Sequence, residues 1–373
     1  MTPSFFEHFA ELPDPRIERC RQHELLDIVF LSVCAVLSGA DGWEAIEEFG
    51  EAKLAWLRRY VPLANGIPRH DTIARVMSRL DPEALQRCFI GWMQAVVQAT
   101  TGEVVAIDGK TLRRSFDSAT RKAALHMVSA WGCANGVVLG QVRTAEKSNE
   151  ITAIPALLEL LDVRGCIVTI DAMGCQRDIA AQIRRQRGHY VLAVKANQGA
   201  LLEELQDYFE TDAPNGYRGL KAAYHEETDS GHGRIEVRRC WQSADLRWMP
   251  ATRAWAGAKS VARVESERHV GGRMTREVRY YLSSLDLDPA RLMDAVRSHW
   301  AIENRLHWVL DMTFREDYSR VRRGHAAENL TVLRRMALNI CRRDHSGKSN
   351  PSKIRRASWN DNFREQLLLG AGR

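Results

Sequence analysis

Between residues 104 and 194 the sequence alternates short apolar runs with amphipathic ones, and this order limits the folds that the chain can adopt. Runs rich in β-branched residues predict three successive strands in "VVAID", "LHMVSAWG" and "GVVLGQVRT". Asn135-Gly136 supplies a hairpin turn between the second and third. Amphipathic helices then alternate with the buried strands "GCIVTID" and "HYVLAV". This order indicates an α/β fold with a mixed sheet flanked by helices, rather than a doubly wound sheet.

The pattern of apolar and polar residues changes on both sides of this segment, and these changes predict the domain organisation. Residues 1–100 read as a helical domain, and residues 200–288 alternate with period two, which predicts a β-rich insertion. Helices return at 289–345, so residues 101–199 and 289–345 together form the predicted core. Residues 346–373 begin as a polar, basic stretch and are interpreted as a C-terminal tail.

Composition narrows the class of protein. The net charge is +6, which permits but does not establish nucleic-acid binding. Eight cysteines are scattered without a Cys-x-x-Cys pair, so zinc-ribbon spacing is absent. No apolar run is long enough to span a bilayer, and the N-terminus lacks signal-peptide features. We expect a cytoplasmic protein with reduced thiols and no membrane partner.

The N-terminal region contains a candidate DNA-reading element. "IPRHDTIARVMSRL" predicts a turn at 68–71 followed by a short basic helix that carries Arg75 and Arg79. Two short helices around a tight turn are typical of a helix-turn-helix. An ordinary helical bundle with solvated charges, or a dimer interface, explains the same pattern.

Two aspartates occupy matching positions. Asp108 and Asp171 each follow a buried strand, and carboxylates that meet at one sheet edge require a cation. Oxygen ligands suit Mg²⁺ or Mn²⁺. Glu303 is the best third carboxylate, because His299, Glu303 and His307 are spaced by four on one predicted helix.

Competing interpretations of these acidic residues remain open. One alternative is that Glu303 is a surface glutamate paired with Arg297 or His307. A zinc site on the two histidines is disfavoured, because eight helical residues separate them by roughly 12 Å. Other candidates for the third carboxylate are adequately explained by pairing with nearby arginines: Glu316, Asp317 and Glu328.

Six motifs in fixed order carry a family resemblance: "AIDGKTLRRS", "TIDAMGCQ", "VLAVKANQ", "HGRIEVR", "HWAIENRLHWVLDMTFRED" and "AENLTVLRRMALN". Over nearly the whole chain the sequence resembles transposases of bacterial insertion sequences, most of all the ISAs type, also called H-repeat-associated. The resemblance implies an RNase H-like core whose catalytic, metal-binding triad is Asp108, Asp171 and Glu303. It also implies two Mg²⁺ ions per site, replaceable by Mn²⁺, with His299 and His307 as possible support.

The chain departs from the wider group of cut-and-paste transposases at one signature. That group carries Tyr, Arg, Glu and Lys around the glutamate, where this sequence has Val296, His299, Glu303 and Leu310. The glutamate alone is kept, which leaves open the hairpin-forming chemistry that the Tyr and Lys support in some relatives.

Basic and amide side chains near the triad predict a DNA path. The stretch from Thr313 to Arg343 has eight arginines and three acidic residues, which favours nucleic acid over a merely charged exterior. Solvated surface charge explains each of these residues singly. The expected DNA-binding residues, in addition to Arg75 and Arg79, are Lys110, Arg113, Arg114, Lys195, Asn197, Gln198, Arg234, Arg238, Arg320, Arg322 and Arg323.

The expected activity is that of a DNA transposase. It would cut as an endonuclease at the terminal inverted repeats of its element and join the freed 3′-hydroxyl to target DNA, with no small-molecule substrate. The resemblance implies a homodimer in the DNA complex, near the bacterial nucleoid. The alternatives are an inactive protein that binds element ends, and an RNase H-like nuclease without strand transfer.

Overall fold

One mixed sheet organises the molecule. The computed structural model describes residues 4–96, 102–116, 123–144, 150–211, 217, 219–231 and 233–369. Within these residues the strands are β1 Val104–Thr111, β2 His126–Gly132, β3 Val137–Arg143, β4 Ile167–Ile170, β5 His189–Val194, β6 Ala222–Gly231, β7 Arg234–Ser243, β8 Ser260–Val270 and β9 Arg273–Ser283. They form one sheet in the order β3-β2-β1-β4-β5-β9-β8-β7-β6.

The core half of this sheet has the predicted pattern. β1, β2 and β3 are antiparallel neighbours, whereas β4 and β5 run parallel to β1. The parallel connections are made through helices, as crossovers of this kind require. The predicted fold class, a mixed sheet flanked by helices with a β-rich insertion and an N-terminal helical region, is confirmed.

The helices have the following bounds: α1 Ser4–Phe9, α2 Leu25–Leu37, α3 Trp43–Leu57, α4 His70–Arg79, α5 Pro82–Val96, α6 Glu150–Leu160, α7 Arg177–Arg185, α8 Gly199–Glu210, α9 Pro289–His299, α10 Trp308–Met312, α11 Ala326–Arg343, α12 Asn350–Trp359 and α13 Asp361–Leu369. Apolar side chains of α6, α7 and α8 pack with Val105 and Ile107 on one face of the sheet. Those of α9 pack with Val104 on the other face. Alternation along β1 therefore decides which helices each side chain meets.

The β-rich insertion extends the same sheet. β9 pairs with β5, and β8, β7 and β6 follow as antiparallel neighbours. The ends of β7, β8 and β9 nearest the core are buried, whereas their distal halves are largely exposed, and β6 has no buried residue. The insertion therefore projects a two-sided antiparallel sheet beyond the helices that cover the core.

The N-terminal helices do not form a separate core. Side chains of α1 to α5 pack in one apolar cluster with those of α11, α12 and α13. Asn329 of α11 donates to the carbonyls of Met77 and Leu80 at the end of α4. Helices that are distant in sequence thus share one interior, so the boundary placed at residue 100 does not divide two hydrophobic cores.

The segment interpreted as a basic tail is also part of this interior. Residues 350–369 form α12 and α13, and their apolar side chains, including Phe363 and Leu367, are buried. Arg364 is fully buried and donates to the carbonyl of Ala357. The basic residues at the start of this segment masked an amphipathic pattern, which corrects the tail prediction; residues 370–373 lie outside the described part.

Helix α11 lies at the junction between sheet and bundle. The side-chain oxygen of Asn339 accepts from the backbone N–H of Val138 at 2.9 Å, and its amide donates to the carbonyl of the same residue at 2.8 Å. Val138 belongs to β3, the edge strand, so this amide satisfies backbone groups that a further strand would otherwise pair. Among the described residues, no helix is both long and apolar enough to cross a membrane.

The burial of the C-terminal helices can be tested by substitution. Leu367→Ala is expected to lower the free energy of unfolding by about 2–5 kcal/mol, because it leaves a cavity in the shared core. Gln366→Ala, at an exposed position of the same helix, is the matched control and should stay within about 0.5 kcal/mol. Urea unfolding measures both; equal stability of the two variants would mean that α13 does not pack on the bundle.

Candidate active site

The two predicted aspartates lie side by side because of strand register. The parallel pairing of β1 with β4 ends at Ile107 opposite Ile170, so the next residues along both strands are Asp108 and Asp171. Thr169 contacts a residue of α9, and Val104 packs on the same helix. By alternation, both carboxylates therefore point to the α9 face of the sheet. β1 itself continues to Thr111 because β2 still pairs with it there, so Asp108 ends the parallel pairing but not the strand.

The third carboxylate arrives through an irregular helix. The predicted continuous helix around Glu303 is interrupted: α9 ends at His299, residues Glu303–His307 form one π-helical turn, and α10 begins at Trp308. A π turn holds one extra residue and is frequent at functional sites. Ile302 and Leu306 anchor this turn in the interior, while Glu303 is exposed toward the cavity.

Asp108, Asp171 and Glu303 line one cavity of about 730 Å³ on the α9 face. His307 lies within the same cluster, with its Nδ1 atom 3.7 Å from a carboxylate oxygen of Asp108 and 3.7 Å from one of Glu303. The structure thus brings together the three carboxylates that the sequence singled out and His307, one of the two histidines expected to support the site.

The cavity concentrates negative charge in a poorly solvated place. Burial raises the pKa of Asp108 to about 7, against a hydrogen bond from the backbone N–H of Gly109 that lowers it. The charges of Glu150, Asp171 and Glu303 raise it further. Burial also lowers the pKa of His307 to about 3, with help from nearby cationic side chains, so this imidazole is neutral near pH 7.

These side chains fit a divalent cation. Ligand atoms of Asp108, Glu303 and His307 lie within 4.8 Å of one another, and Asp171 lines the same cavity. A neutral imidazole and carboxylates are suitable donors for such an ion. A cation would also remove the electrostatic cost of ionising Asp108 beside other carboxylates. His299 is not in this ligand cluster.

His299 supports the site from the other side. Its Nδ1 atom shares a 3.1 Å hydrogen bond with the hydroxyl of Thr169, two residues before Asp171 in the chain. Burial lowers the pKa of His299, and the charge of Asp171 opposes that shift. Each predicted supporting histidine is therefore associated with a different one of the two aspartates.

The loop that carries Asp171 is fixed by hydrogen bonds. One oxygen of Asp171 accepts from the backbone N–H of Met173 at 3.0 Å. Asn197 donates to the carbonyl of Ala172 at 2.6 Å, and Gln198 donates to that of Cys175 at 2.9 Å. Both amides were predicted to bind DNA; in the structure each donates one hydrogen bond to this loop, and Asn197 is exposed. The exposed Lys195 lines the cavity.

Lys110 has a role that differs from the predicted one. Its side chain is 8% exposed, and its ammonium lies 2.7 Å from Asp311 and 3.0 Å from Asp317. Glu316, fully buried, pairs with Arg335 at 2.8 Å and lies 4.0 Å from Lys110. Because its charge is neutralised inside the protein, Lys110 does not remain available to hold a DNA phosphate. The same pairing accounts for Glu316 and Asp317, two of the acidic residues that competed with Glu303, whereas the third, Glu328, lies 3.8 Å from Arg143.

The arginines of the 313–343 segment separate into internal and external ones. Arg334 and Arg335 are 2% and 0% exposed and belong to the interior of α11. Arg320 and Arg323 are exposed in the loop before α11. This loop was predicted to be helical, but it is not. Arg322 is partly buried, donates to the carbonyl of Arg114 at 3.1 Å and lies over the ring of Phe116. Sequence could not separate these groups, because burial depends on contacts with distant segments.

Four further residues that were predicted to bind DNA lie on the surface near this loop: Arg75, Arg79, Arg113 and Arg114. Arg113 is 83% exposed and approaches Asp317 at 3.3 Å, whereas Arg114 stacks over the ring of Tyr318. Arg75 and Arg79 are exposed on α4. The backbone N–H of His325 donates to the carbonyl of Ser78, which brings the end of α4 against the loop that carries Arg323.

Two side chains near Asp108 were missed in the sequence. Glu150, at the start of α6, accepts a 2.8 Å hydrogen bond from His126, whose other ring nitrogen contacts Thr111 at 2.7 Å. A Cβ atom at Gly109 would lie 2.0 Å from the Glu150 carboxylate. A side chain at this position would therefore displace the Glu150 carboxylate from its present place beside Asp108. The Gly109 in "IDGK" was the available signal, since glycine within a strand marks such contacts.

Comparison with known proteins gives a consistent result. A family model described as "DDE_Tnp_1-associated" matches residues 6–93, and one described as "Transposase DDE domain" matches residues 99–340. The chain is 46% identical over 343 residues to YncI of Escherichia coli O157:H7, a candidate transposase, with 91% of this chain and 87% of that protein covered. It is 42% identical over 374 residues to YhhI of Escherichia coli strain K12, an H repeat-associated candidate transposase, with 98% of each chain covered.

A solved structure is also similar, at lower identity. The cryo-EM structure of a piggyBac transposase synaptic complex with hairpin DNA aligns at a TM-score of 0.40 and 10% identity, over 99% of this chain and 78% of that one. The sequence matches extend over nearly the whole chain and include the strands and helices that carry the three carboxylates. The protein belongs to the DDE transposase family and is similar to its H-repeat-associated members.

Proposed function

We propose that this protein cuts DNA at the ends of an insertion sequence and joins the freed 3′-hydroxyl to target DNA. The observation that carries the proposal is the convergence of Asp108, Asp171 and Glu303 on one cavity at one face of the sheet. The two aspartates are brought there by strand register and the glutamate by the π turn. Membership of the transposase family supports the same reaction.

The reaction consists of two phosphoryl transfers. Water attacks the scissile phosphorus and the 3′-oxygen of the element leaves as a hydroxyl. That hydroxyl then attacks a phosphodiester of target DNA, forming one bond while another is broken. No side-chain nucleophile is consumed in either step.

The proposed cofactor is Mg²⁺, two ions per site, with Mn²⁺ as a substitute. Asp108, Asp171 and Glu303 would hold the ions, and a Lewis acid bound there stabilises charge on attacking and leaving oxygens. His307, neutral near pH 7, is oriented toward Asp108 and Glu303, and His299 supports the strand before Asp171. Lys195 lies at the cavity, where it can contact a DNA phosphate.

The element end is proposed to bind a continuous basic surface. We call this the end-binding surface and define it by Arg75, Arg79, Arg113, Arg114, Arg320, Arg322 and Arg323. Its two halves meet where the end of α4 contacts the loop before α11. Arg114 and Arg322 hold loops of this surface together, and the exposed arginines supply phosphate contacts.

The assembly and location follow from the proposed substrate. Two element ends must be joined in concert, so we propose a homodimer in the complex with double-stranded DNA. The working protein is then located at the bacterial chromosome, in the cytoplasm.

Substitution of the triad tests the chemistry. Asp108→Asn, Asp171→Asn and Glu303→Gln should each reduce strand cleavage by more than about 100-fold, because several kcal/mol of transition-state stabilisation are lost. Binding of the element end should stay within about twofold. A labelled end incubated with target DNA and Mg²⁺ measures binding, hydrolysis and joining separately.

The matched control for these variants is Glu203→Gln, at an exposed position of α8. Wild-type protein that binds without cutting would instead be an inactive end-binding protein, and one that hydrolyses without joining would be a nuclease. Normal cleavage by Glu303→Gln would exclude Glu303 as the third ligand.

The raised pKa of Asp108 predicts a pH-dependent stability in metal-free protein. The folded pKa of about 7 exceeds the ordinary value of 3.8, so between these pH values the folded state holds a proton that the unfolded state has released. Stability is therefore lost as pH rises from about 4 to 7, by at most about 1.4 kcal/mol per pH unit. Asp108→Asn should raise the melting temperature at pH 8 and leave it nearly unchanged at pH 4.

Thermal unfolding in the presence of a chelator, and then with Mn²⁺, measures this effect. Mn²⁺ should raise the melting temperature of wild-type protein at pH 8 more than that of the variant. Asp178→Asn, at an exposed position of α7, is the control and should change neither value. If Asp108→Asn were no more stable than wild type at pH 8, ionisation of the Asp108 carboxylate would not destabilise the folded protein.

Salt titration tests the end-binding surface. Replacing Arg79, Arg320 and Arg323 together with alanine should weaken binding to every DNA sequence, because phosphate contacts carry no base information. The log–log slope of affinity against salt should fall by about 0.9 for each arginine–phosphate interaction that the substitutions remove. Arg185→Ala, at an exposed position on the opposite face of the sheet, should leave the slope unchanged. An unchanged slope in the triple variant would show that DNA does not bind to this surface.

A further inference from the structure

A second basic groove lies next to the active-site cavity. It has a volume of about 720 Å³ and runs along the projecting strands β7, β8 and β9, with α9 and the π turn as its wall. Glu277, Arg279, Tyr281, Val296 and Trp300 line both the groove and the cavity. The two spaces are therefore adjacent and share one boundary, where the guanidinium of Arg279 stacks 4.1 Å from the centre of the Trp300 ring.

The groove opens on the catalytic face of the sheet. Cys240, Val264 and Tyr281 pack on the same side as α9, so residues at alternate positions along their strands face that side too. Those positions include Arg234, Arg238, Arg268 and Arg279, which line the groove. The carboxylates of the active site point to this face of the same sheet.

The side chains that line the groove carry a net positive charge, although Arg276 and Arg297 also pair with Glu265 and Glu227 beside it. Its lining contains seven arginines and three glutamates. Arg234, Arg238 and Arg268 all pair with the single carboxylate of Glu236, so they carry an excess of positive charge at the groove. Arg238 and Arg297 also contact Asp229 of β6. A carboxylate shared by three guanidinium groups leaves donors available for phosphate, which arginine binds in preferred geometry.

The groove and the end-binding surface lie toward different ends of the segment formed by α9, the π turn and α10. Trp300 and Arg305 line the groove, whereas Asp311, eight residues after Glu303, is tied through Lys110 and Asp317 to Arg113 on the end-binding surface. DNA whose scissile phosphate lies at Glu303 must continue in both directions. If one direction follows the end-binding surface, the groove is the basic surface that remains for the other.

We propose that this groove binds the DNA backbone beyond the cleavage point, that is, the flanking DNA before cutting, through the arginines around Glu236. The inference rests on the proposed function, because it assumes that the element end occupies the other surface. It assigns to the β-rich insertion the task of holding the DNA that is released when the end is cut.

The test compares two duplexes of equal length. One ends at the cleavage point, and the other extends past it into flanking DNA. Arg234→Ala combined with Arg268→Ala should weaken binding of the extended duplex by about tenfold, with the log–log salt slope lower by about 1.8 because two arginine–phosphate interactions are removed. Affinity for the duplex that ends at the cleavage point should stay within about twofold. Binding is measured with Ca²⁺ or without metal, so that no cleavage intervenes.

A second variant has the opposite expected sign. Glu236→Gln removes the shared carboxylate and should tighten binding of the extended duplex, whereas loss of a merely structural ion pair would not. Arg253→Ala, at an exposed position outside the groove, is the control. Equal weakening on both duplexes, unchanged affinity for the extended duplex, or weaker binding by Glu236→Gln would overturn the assignment. Failure of the wild-type protein to bind either duplex would instead count against the proposed function.

Discussion

The ion pairs of Lys110 fix the active site, and much of the surrounding structure depends on them. Lys110 lies two residues after Asp108 on β1, and its ammonium contacts Asp311 of α10 and Asp317 of the following turn. The strand that carries Asp108 is thereby tied to the helix that follows Glu303. Buried charges are costly to desolvate. Removing one partner of a buried ion pair lowers the free energy of unfolding by about 3–5 kcal/mol, because it leaves an uncompensated charge. Such a network specifies one arrangement more than it stabilises the fold.

The π turn and this network act together on Glu303. Ile302 and Leu306 are buried on one side of the turn, and the Asp311 contact holds its end, so the carboxylate faces the cavity. Burial raises the pKa of Asp108, and the neighbouring carboxylates raise it further, so ionising this group in the absence of a cation opposes folding. The fold accepts this local cost because a large shared core stabilises the rest of the chain. The arrangement of these side chains is thus suited to a divalent ion.

Helix α11 connects the N-terminal helices with the sheet that carries the candidate active site. Its side chains bond the edge strand through Asn339 and the end of α4 through Asn329, while Arg335 joins the charged network behind the active site. The helical region proposed to contact an element end is therefore held rigidly against the catalytic sheet. The insertion extends that sheet on the other side and presents its arginines on the catalytic face. Both proposed DNA surfaces are consequently positioned by one continuous framework.

The order of strands and helices, the fold class and the family could be predicted from the sequence alone, because hydrophobic periodicity and ordered motifs are local properties. Asp108, Asp171 and Glu303 were found in the same way, and their shared cavity agrees with that choice. The partners of charged residues were not predictable: Lys110 and Asp311 are 201 positions apart, and nothing local marks Arg335 as internal and Arg323 as external. The same holds for the helices at 350–369 and for Glu150 beside Gly109. Tertiary structure decided these points, because the burial and pairing of a charge depend on which distant segments fold against it.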